Sequence, residues 1–307
     1  MSETTFRSFT NEQGANYAQN RKSYSYKLFE LLIKHHISTG GQLDTVLDVG
    51  CGPGIATHDV ASHFEHVIGL DPSEGMIATA RSLGGSSKSS EPIRFELSTA
   101  EELGSNLDQP IAAGSVDLIT AATAAHWFDM SKFWSRAAQV LRPGGTVAIW
   151  TSRFNFVHPS MPNRDAVQAL ADEFHDKYIR PYAQPGSMLS QNLYVDLPLP
   201  WTLDEPVAGF DQETFYRREW TGEYDSDRFF ADQAAVDLDT MEKMYSTASS
   251  VVRWREAHSD AAGTERDVLR IFRRSLEKLL HEAGVEHGKE WVRGSVGGVL
   301  LMVKKKA

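Results

Sequence analysis

Three glycines and two acids between positions 48 and 71 have the types and spacing to bind a nucleoside. Gly50, Gly52 and Gly54 occupy every second position of the run DVGCGPG, which begins at Asp48. Glycine has no Cβ, so this segment can turn tightly and a ligand can approach its backbone closely. Asp71 follows Gly50 by about 20 positions, where nucleotide-binding units place the carboxylate that accepts the ribose hydroxyls. The chemistry indicated is the binding of a ribose-containing cofactor.

The segments around these residues predict the elements that must position them. Thr45–Val49 is an apolar, β-favouring run, and Ile55–Phe64 has apolar residues at helical spacing. His66–Leu70 reads as a second strand that ends at Asp71. Strand, glycine loop, helix and strand in this order form a βαβ unit, which binds its ligand at the carboxyl ends of the strands.

The spacing of the glycines separates two classes of cofactor. A dinucleotide fingerprint, G-x-G-x-x-G, would need glycine at position 55, where this chain has Ile55. The observed pattern is G-x-G-x-G preceded by Asp48. It resembles motif I of the class I S-adenosylmethionine (SAM) methyltransferases. The simpler alternative is an ordinary tight turn between strand and helix that binds no ligand.

Further strands and helices predict the fold class. The expected helices are Ser23–His36, Ser73–Leu83 with Ser73 as N-cap, and Asp129–Leu141; the expected strands are Ile93–Ser98, Val116–Thr123 and Thr146–Thr151. Strands that alternate with helices at short spacing favour a parallel sheet with helices on both faces. We therefore predict an α/β fold, a Rossmann-like doubly wound sheet of seven mostly parallel strands with a helical cap inserted after strand five.

Changes in pattern along the chain predict four regions. Residues 1–40 form an N-terminal lid and helix, and residues 41–151 form the SAM-binding Rossmann-like core. Residues 152–262 are rich in aromatic residues, prolines and acids, which predicts a mostly helical substrate cap. Residues 263–307 contain a helix and strands that complete the core sheet.

The resemblance to class I methyltransferases rests on four segments: DVGCGPG (48–54), GLDPSEGMIATAR (69–81), FELSTAEEL (95–103) and LRPGG (141–145). It implies that the glycine loop flanks the methionine part of SAM, that Asp71 holds the ribose, and that the segments after strands two and three lie near the adenine. With the lid residues described next, the residues expected to bind the cofactor are Tyr17, Arg21, Asp48, Gly50, Gly52, Gly54, Asp71, Pro72, Met76, Thr99, Ala100, Glu101 and Thr123.

A narrower resemblance links the chain to the fungal trans-aconitate methyltransferase-like enzymes. It is carried by AAHWFD (124–129), YAQNRKSY (17–24) and YSTASSVVRW (245–254). It implies that Tyr17 and Arg21 close over SAM and face its carboxylate, a group that suits the fork of an arginine. Thr123 and Ala248 stand where many relatives have Gln and Trp. Both lie near the expected acceptor pocket, which leaves room for an acceptor other than trans-aconitate.

Three residues are candidates for contact with the methyl acceptor. His126 follows strand four, where the methyl group should emerge, and we predict that it orients or deprotonates the acceptor. The alternative is a residue of the pocket wall, or a polar residue whose hydrogen bonds are satisfied within the fold. Trp127 is expected to pack beside SAM or the acceptor. Arg153, at the end of strand five, would pair with an acid acceptor unless it is simply solvated.

The composition of the chain limits the kinds of partner that it is expected to bind. The net charge is −10, from 31 basic and 41 acidic residues, which argues against non-specific binding to nucleic acid. One cysteine allows no intrachain disulfide, and neither a secretory segment nor a membrane-spanning run is visible. We expect a cytoplasmic protein without a membrane partner. The 11 histidines are dispersed in the sequence, so no metal site is predicted.

The sequence thus predicts a SAM-dependent methyltransferase whose partner is a small-molecule acceptor. The preferred acceptor atom is the carboxylate or hydroxyl oxygen of an organic acid or a secondary metabolite. Methylation of a small-molecule thiol is the chemical alternative. A SAM-binding regulatory protein without catalysis is the alternative of another class, and a nicotinamide-linked reductase is a more distant one. The sequence leaves the oligomeric state open.

Overall fold

The computed structural model describes residues 6–222, 228–231 and 234–307, except the side chains of residues 154–156. In chain order the strands are β1 (Thr45–Val49), β2 (His66–Asp71), β3 (Arg94–Leu97), β4 (Val116–Ala122), β5 (Leu141–Val157), β6 (Phe210–Trp220), β7 (Val236–Asp237), β8 (Trp291–Val292) and β9 (Gly294–Lys305). Seven of them form one sheet in the order β3-β2-β1-β4-β5-β9-β6, and β7 pairs with β8 in a separate ribbon.

The main sheet is mostly parallel. The pairs β1–β2, β1–β4, β2–β3 and β4–β5 are parallel, whereas β9 runs antiparallel to both β5 and β6. The predicted Rossmann-like, doubly wound sheet is therefore confirmed. Because β2 and β3 lie on one side of β1 and β4 and β5 on the other, the strand order reverses at the end of β1, which is where this architecture binds ligands.

The described helices are α1 (Asn11–Asn20), α2 (Tyr26–Ser38), α3 (Ile55–Ala61), α4 (Glu74–Leu83), α5 (Met130–Val140), α6 (Arg164–Phe174), α7 (Pro185–Gln191), α8 (Leu238–Ser246), α9 (Ser249–Ala257) and α10 (Val268–Glu282). Ser73 and Asp129 are N-caps, and each accepts a hydrogen bond from the backbone three residues on. The helix expected from Ser23 begins at Tyr26 instead, because Ser25 is its cap. None of these helices combines the length and the apolar character needed to cross a bilayer.

The core lies on both faces of the sheet. Along β1, Leu47 and Val49 belong to one buried apolar cluster and Val46 belongs to another. Successive side chains of a strand point to opposite faces, so the two clusters are the packed layers above and below the sheet. All five residues of β1 are buried, as expected for a central strand covered by helices on both sides.

Strand five is longer than the sequence predicts. It was expected to end at Thr151, but β5 continues to Val157. The reason is its antiparallel partner β9, which pairs with it from Thr146, opposite Lys304, to Val157, opposite Gly294. This long pair carries the sheet out of the core and into the region that covers it.

The region between residues 152 and 262 contributes to two parts of the structure, the main sheet and the cap that covers it. β6 belongs to the main sheet, and Tyr194 and Leu197 lie in one of its apolar layers. The cap itself consists of α6, α8, α9, α10 and the β7–β8 ribbon around a separate apolar cluster that includes Phe174, Met241 and Trp254. α10, which was expected to complete the core, contributes Phe272 to this cap cluster.

The N-terminal helix α1 is fastened to α4 by close contact at two glycines. A Cβ added at Gly14 would lie 2.6 Å from Thr79 Oγ1 and 2.7 Å from the carbonyl oxygen of Gly75. A Cβ added at Gly75 would collide with the backbone oxygens of Phe9 and Thr10. The docking of α1 on α4 therefore depends on glycine on both sides of the contact.

Candidate active site

The glycine loop between β1 and α3 is built from left-handed backbone conformations. Gly50, Gly52 and Gly54 have φ values of +66°, +54° and +90°, which L-residues with a Cβ adopt at a cost. A Cβ added at Gly50 would lie 2.6 Å from Cβ of Ala124, whereas one added at Gly52 would meet nothing within 4 Å. Gly50 is thus needed for packing, and Gly52 presents bare backbone to open space.

The carboxylate of Asp71 is fixed against this loop. Its Oδ2 accepts a hydrogen bond from the Gly52 backbone N–H at 2.9 Å, and its Oδ1 accepts one from the Ser73 backbone N–H at 2.9 Å. Asp71 is buried at the end of β2 and borders a large cavity. A carboxylate held in this way suits the two hydroxyls of a ribose.

The cavity lies between the carboxyl ends of the strands and the cap. Its volume is about 640 Å³, within the range of roughly 300–1,000 Å³ that is typical of ligand pockets. Most of the residues predicted to bind SAM or the acceptor line it, namely Tyr17, Arg21, Gly50, Gly52, Asp71, Pro72, Met76, Ala100, Glu101, Thr123, His126 and Trp127. The structure therefore brings together residues that are more than 100 positions apart in the sequence.

Four predicted site residues do not line the cavity: Asp48, Gly54, Thr99 and Arg153. Asp48 is fully buried, and its two oxygens accept hydrogen bonds from the hydroxyls of Thr57 (2.6 Å) and Thr120 (2.7 Å). Burial raises the pKa of Asp48 to about 6. In the structure, therefore, Asp48 joins β1 to α3 and β4.

The other three have local packing contacts. A Cβ added at Gly54 would lie 2.9 Å from the ring of Phe95, so Gly54 lets α3 approach β3. Thr99 Oγ1 accepts a hydrogen bond from the backbone N–H of Glu102 at 3.2 Å and so stabilises a turn. Arg153 lies on β5 opposite Gly297, and its expected role with an acid acceptor stays a prediction.

Arg21, at the end of α1, supplies a cation to the cavity. The guanidinium of Arg21 lies 4.7 Å from the centre of the Tyr17 ring, and its Nη2 donates to the Thr247 carbonyl oxygen at 3.3 Å. Its Nε is buried and has no hydrogen-bond partner among the described residues. A buried cationic N–H that lacks a partner fits an anionic group such as a carboxylate.

His126 lies in a short 3₁₀ turn, Ala125–Trp127, just after β4. Its Nδ1 is 2.8 Å from the hydroxyl of Tyr194, and its ring lies 4.4 Å from that of Trp127, centre to centre. Burial lowers the pKa of His126 to about 3, so the imidazole is neutral at physiological pH. A neutral imidazole in a cavity wall can donate or accept one hydrogen bond toward a ligand.

Two tyrosines of the site carry no clear sequence signal. Tyr24 borders the cavity, and its hydroxyl is 2.9 Å from Oγ1 of Thr123, whose φ is +53°. Tyr24 is part of the YAQNRKSY segment, but nothing in that segment assigns it a contact with Thr123. Tyr194 lies in the region expected to be cap, 68 positions from its partner His126, and no motif marks it. Only tertiary packing reveals either contact.

A group of possible metal ligands occurs away from the cavity. One ligand atom from each of His281, His287 and Glu290 lies within 4.8 Å of the others, although the histidines looked dispersed in the sequence. His281 Nε2 is 2.6 Å from Glu290 Oε1, and these two residues join the end of α10 to the start of β8. Hydrogen bonding between them accounts for two of the three groups, so we interpret the group as a structural link.

Comparison with known proteins supports this description. The profile of the family described as "Methyltransferase domain" matches residues 47–149. A Dictyostelium discoideum protein named as a methyltransferase is 30% identical over 182 residues, 59% of this chain and 62% of that protein. The probable S-adenosylmethionine-dependent methyltransferase CRG1 of Saccharomyces cerevisiae is 34% identical over 140 residues, 46% of this chain and 45% of the relative.

Further similarity comes from a fungal protein and a solved structure. Methyltransferase ptaI of Pestalotiopsis fici is 36% identical over 138 residues, 44% of this chain and 40% of that protein. The matched regions thus span less than two thirds of the length of each of these three relatives. A solved structure from Anaeromyxobacter dehalogenans, named as a type II methyltransferase, has a TM-score of 0.60 over 93% of this chain and 97% of its own, at 22% identity, which shows a shared fold.

The family match begins in β1 and ends in β5, so it covers the glycine loop, Asp71 and the turn that bears His126. The cavity beside them presents bare glycine backbone, a fixed carboxylate and a buried cation, which fit a nucleoside linked to an amino acid. The chain therefore carries a class I SAM-dependent methyltransferase domain, and SAM is its cofactor.

Proposed function

We propose that this protein transfers the methyl group of SAM to an oxygen atom of a small molecule, either the carboxylate or the hydroxyl of an organic acid or a secondary metabolite. The observation that carries the proposal is a single cavity that joins the glycine loop and Asp71 to His126 and to the apolar interior of the cap. Cofactor and acceptor can therefore meet in one space.

The residues that would hold SAM are those whose geometry fits its parts. The carboxylate of Asp71 would accept the ribose hydroxyls, and the backbone at Gly52 would lie against the ligand. Arg21, with its unpartnered Nε, would receive the carboxylate of the methionine part. Met76 and Pro72, beside Asp71, offer an apolar surface to the adenine.

The main requirement of the reaction is that the protein aligns the acceptor oxygen with the methyl carbon and the sulfur of SAM. When bound, SAM supplies an electrophilic methyl group on a positively charged sulfonium. The acceptor oxygen forms a bond to the methyl carbon while the carbon–sulfur bond breaks and its electron pair remains on sulfur. Holding the reacting atoms in line at about 3 Å can supply roughly 7–11 kcal/mol of the barrier. A hydroxyl acceptor must also lose a proton, whereas a carboxylate need not.

The walls of the cavity favour a small acceptor with an apolar body. The cap contributes apolar side chains to it, including Met241, Phe272 and Leu276, and methionine adapts its shape to varied ligands. His126 and Trp127 face the same space from the end of β4. The lid and the cap enclose this space, which suits a compact molecule better than a nucleic acid, and the net charge of −10 points the same way.

The test is to incubate the purified full chain with SAM and a panel of organic acids, phenols and thiols. We expect S-adenosylhomocysteine to form with an acid or a phenol, and mass spectrometry to identify a methyl ester or ether. A methylated thiol would favour the S-methyltransferase alternative. Tight binding of SAM without S-adenosylhomocysteine on any acceptor would contradict catalysis and favour a SAM-binding regulatory protein.

A further inference from the structure

We infer that Tyr194 is a positioning residue that holds His126 with its proton on Nε2, so that His126 donates a hydrogen bond to the methyl acceptor and does not take a proton from it. The inference rests on the proposed function, because it assigns a role toward the acceptor. It also narrows the acceptor to one whose reacting atom is already free of its proton, such as a carboxylate.

The contact between the two side chains is close and enclosed. Nδ1 of His126 is 2.8 Å from the Tyr194 hydroxyl, and Tyr194 is 2% exposed. Nε2 of His126 has no hydrogen-bond partner among the described residues, and His126 borders the cavity. One ring nitrogen is thus committed to Tyr194, which leaves Nε2 to interact with a ligand.

The surroundings of Tyr194 decide which of the two groups donates the shared hydrogen bond. The Tyr194 hydroxyl is buried, and Nδ1 of His126 is its one hydrogen-bond partner among the described residues. A buried hydroxyl needs an acceptor for its proton. If Nδ1 donated instead, that proton would have no acceptor, so Tyr194 donates to Nδ1. A neutral imidazole that accepts at Nδ1 carries its one proton on Nε2.

The backbone is strained where it brings these groups together. Leu193 and Tyr194 have φ values of +49° and +55°, and Thr123 has +53° just before the turn that holds His126. Left-handed conformations cost non-glycine residues roughly 1–3 kcal/mol each and persist only where the surroundings enforce them. α7 lies so close to the turn that a Cβ added at Gly186 would collide with the His126 carbonyl oxygen. The fold holds Tyr194 against His126 despite this cost.

A donor at Nε2 changes what His126 can do. Its lone pair at Nδ1 is occupied by Tyr194, and burial keeps the ring neutral, so the cavity receives an N–H and no basic nitrogen. An oxygen that accepts this hydrogen bond is held with a lone pair free to attack the methyl carbon. No proton is transferred in that step, because a carboxylate has none to lose.

The tautomer can be observed directly by ¹⁵N-histidine NMR on the full chain, without acceptor or turnover. We expect the resonances of His126 to show protonated Nε2 and unprotonated Nδ1. Tyr194→Phe removes the donor and should shift the populations toward the other tautomer. Tyr216→Phe, at a tyrosine whose ring lies 4.4 Å from that of His35, is the matched control and should leave His126 unchanged. A proton on Nδ1 in the unmodified protein, or no change in Tyr194→Phe, would overturn the inference.

Once the panel of acids, phenols and thiols has identified an acceptor, the rate of methyl transfer to that acceptor gives a second test. His126→Gln keeps an N–H donor and should retain more of kcat than His126→Phe, whereas a general base replaced by Gln should lose roughly 10²–10⁴-fold. If His126→Gln is as inactive as His126→Phe, His126 does not act as a hydrogen-bond donor to the acceptor. The two proposals fail separately: a panel without turnover contradicts the proposed function and leaves the NMR result standing, whereas turnover with a proton on Nδ1 overturns only the role of Tyr194.

Discussion

At the scale of single residues, the site depends on side chains whose orientation is set by backbone groups. Asp71 shows this most directly, since both of its oxygens accept hydrogen bonds from backbone N–H groups, at Gly52 and at Ser73. The glycine loop and the carboxylate therefore form one rigid unit. Its position next to the cavity makes it the clearest point at which to test binding of SAM.

We predict that Asp71→Asn weakens the binding of SAM by roughly 10–100-fold, because a hydrogen bond to a charged group contributes about 1.5–3 kcal/mol. The amide would also turn an N–H group toward one of the two backbone donors. Isothermal titration calorimetry with SAM measures the change. Glu74→Gln, an exposed neighbour at the start of α4, is the control and should bind normally. Equal affinity in the two variants would remove Asp71 from the cofactor site.

At the scale of elements, the cavity is closed by segments that are attached to the core through close backbone contacts. Helix α1, the predicted lid, depends on Gly14 and Gly75 for its approach to α4. The long pair of β5 and β9 carries the sheet into the cap, so the walls of the cavity are attached to the same strands as its floor. Docking of α1 should therefore affect binding of the cofactor without affecting the core.

We predict that Gly75→Ala weakens the binding of SAM and makes the segment before α2 more sensitive to proteases. The new methyl group would collide with the backbone of Phe9 and Thr10, so α1 must move away from α4 and take Tyr17 and Arg21 with it. Calorimetry and limited proteolysis measure the two effects. Ser82→Ala, at an exposed position of the same helix, is the control. A Gly75→Ala protein with normal SAM affinity and a protected N-terminus would contradict the role of the lid.

At the scale of the whole molecule, buried titratable groups link stability to pH. His36 is fully buried between α2 and the sheet, where its Nε2 donates to the Gln42 carbonyl oxygen and its Nδ1 lies 2.7 Å from Oγ1 of Thr146. Burial, the largest cause, lowers the pKa of His36 from 6.5 to about 4. The folded protein therefore resists protonation of a histidine that the unfolded chain readily protonates.

We predict that acid weakens the fold through His36. Above pH 6.5 both states hold the ring neutral, so its contribution is constant; as pH falls toward 4, only the unfolded state gains the proton, and stability falls by up to about 3 kcal/mol. Denaturant unfolding at pH 7.5 and at pH 4.5 measures this loss. His36→Gln should show a smaller loss between the two pH values, and His63→Gln should match the unmodified protein. An equal loss in all three proteins would contradict the assignment.

The sequence alone determined the fold class, and it named most of the residues that the structure brings together around the glycine loop and the cavity. Motifs of this kind are local: a glycine loop, its strands and the acid after the second strand lie within 27 consecutive residues, so short-range patterns specify their relative positions. Local patterns also placed Ser73 and Asp129 at helix starts. They were less informative for Asp48 and Thr99, which stand in the right segments but whose side chains have partners inside the fold.

The tertiary structure alone decided how the acceptor side is built. β6 and Tyr194 lie in a stretch that the sequence predicts to be a mostly helical cap, because their partners, β9 and His126, are about 70 to 95 positions away in the chain. Only packing brings such distant residues together, and no local pattern records it. The glycine loop and the position of Asp71 therefore follow from sequence, whereas the apolar cap and the pairing of Tyr194 with His126 follow from the folded chain.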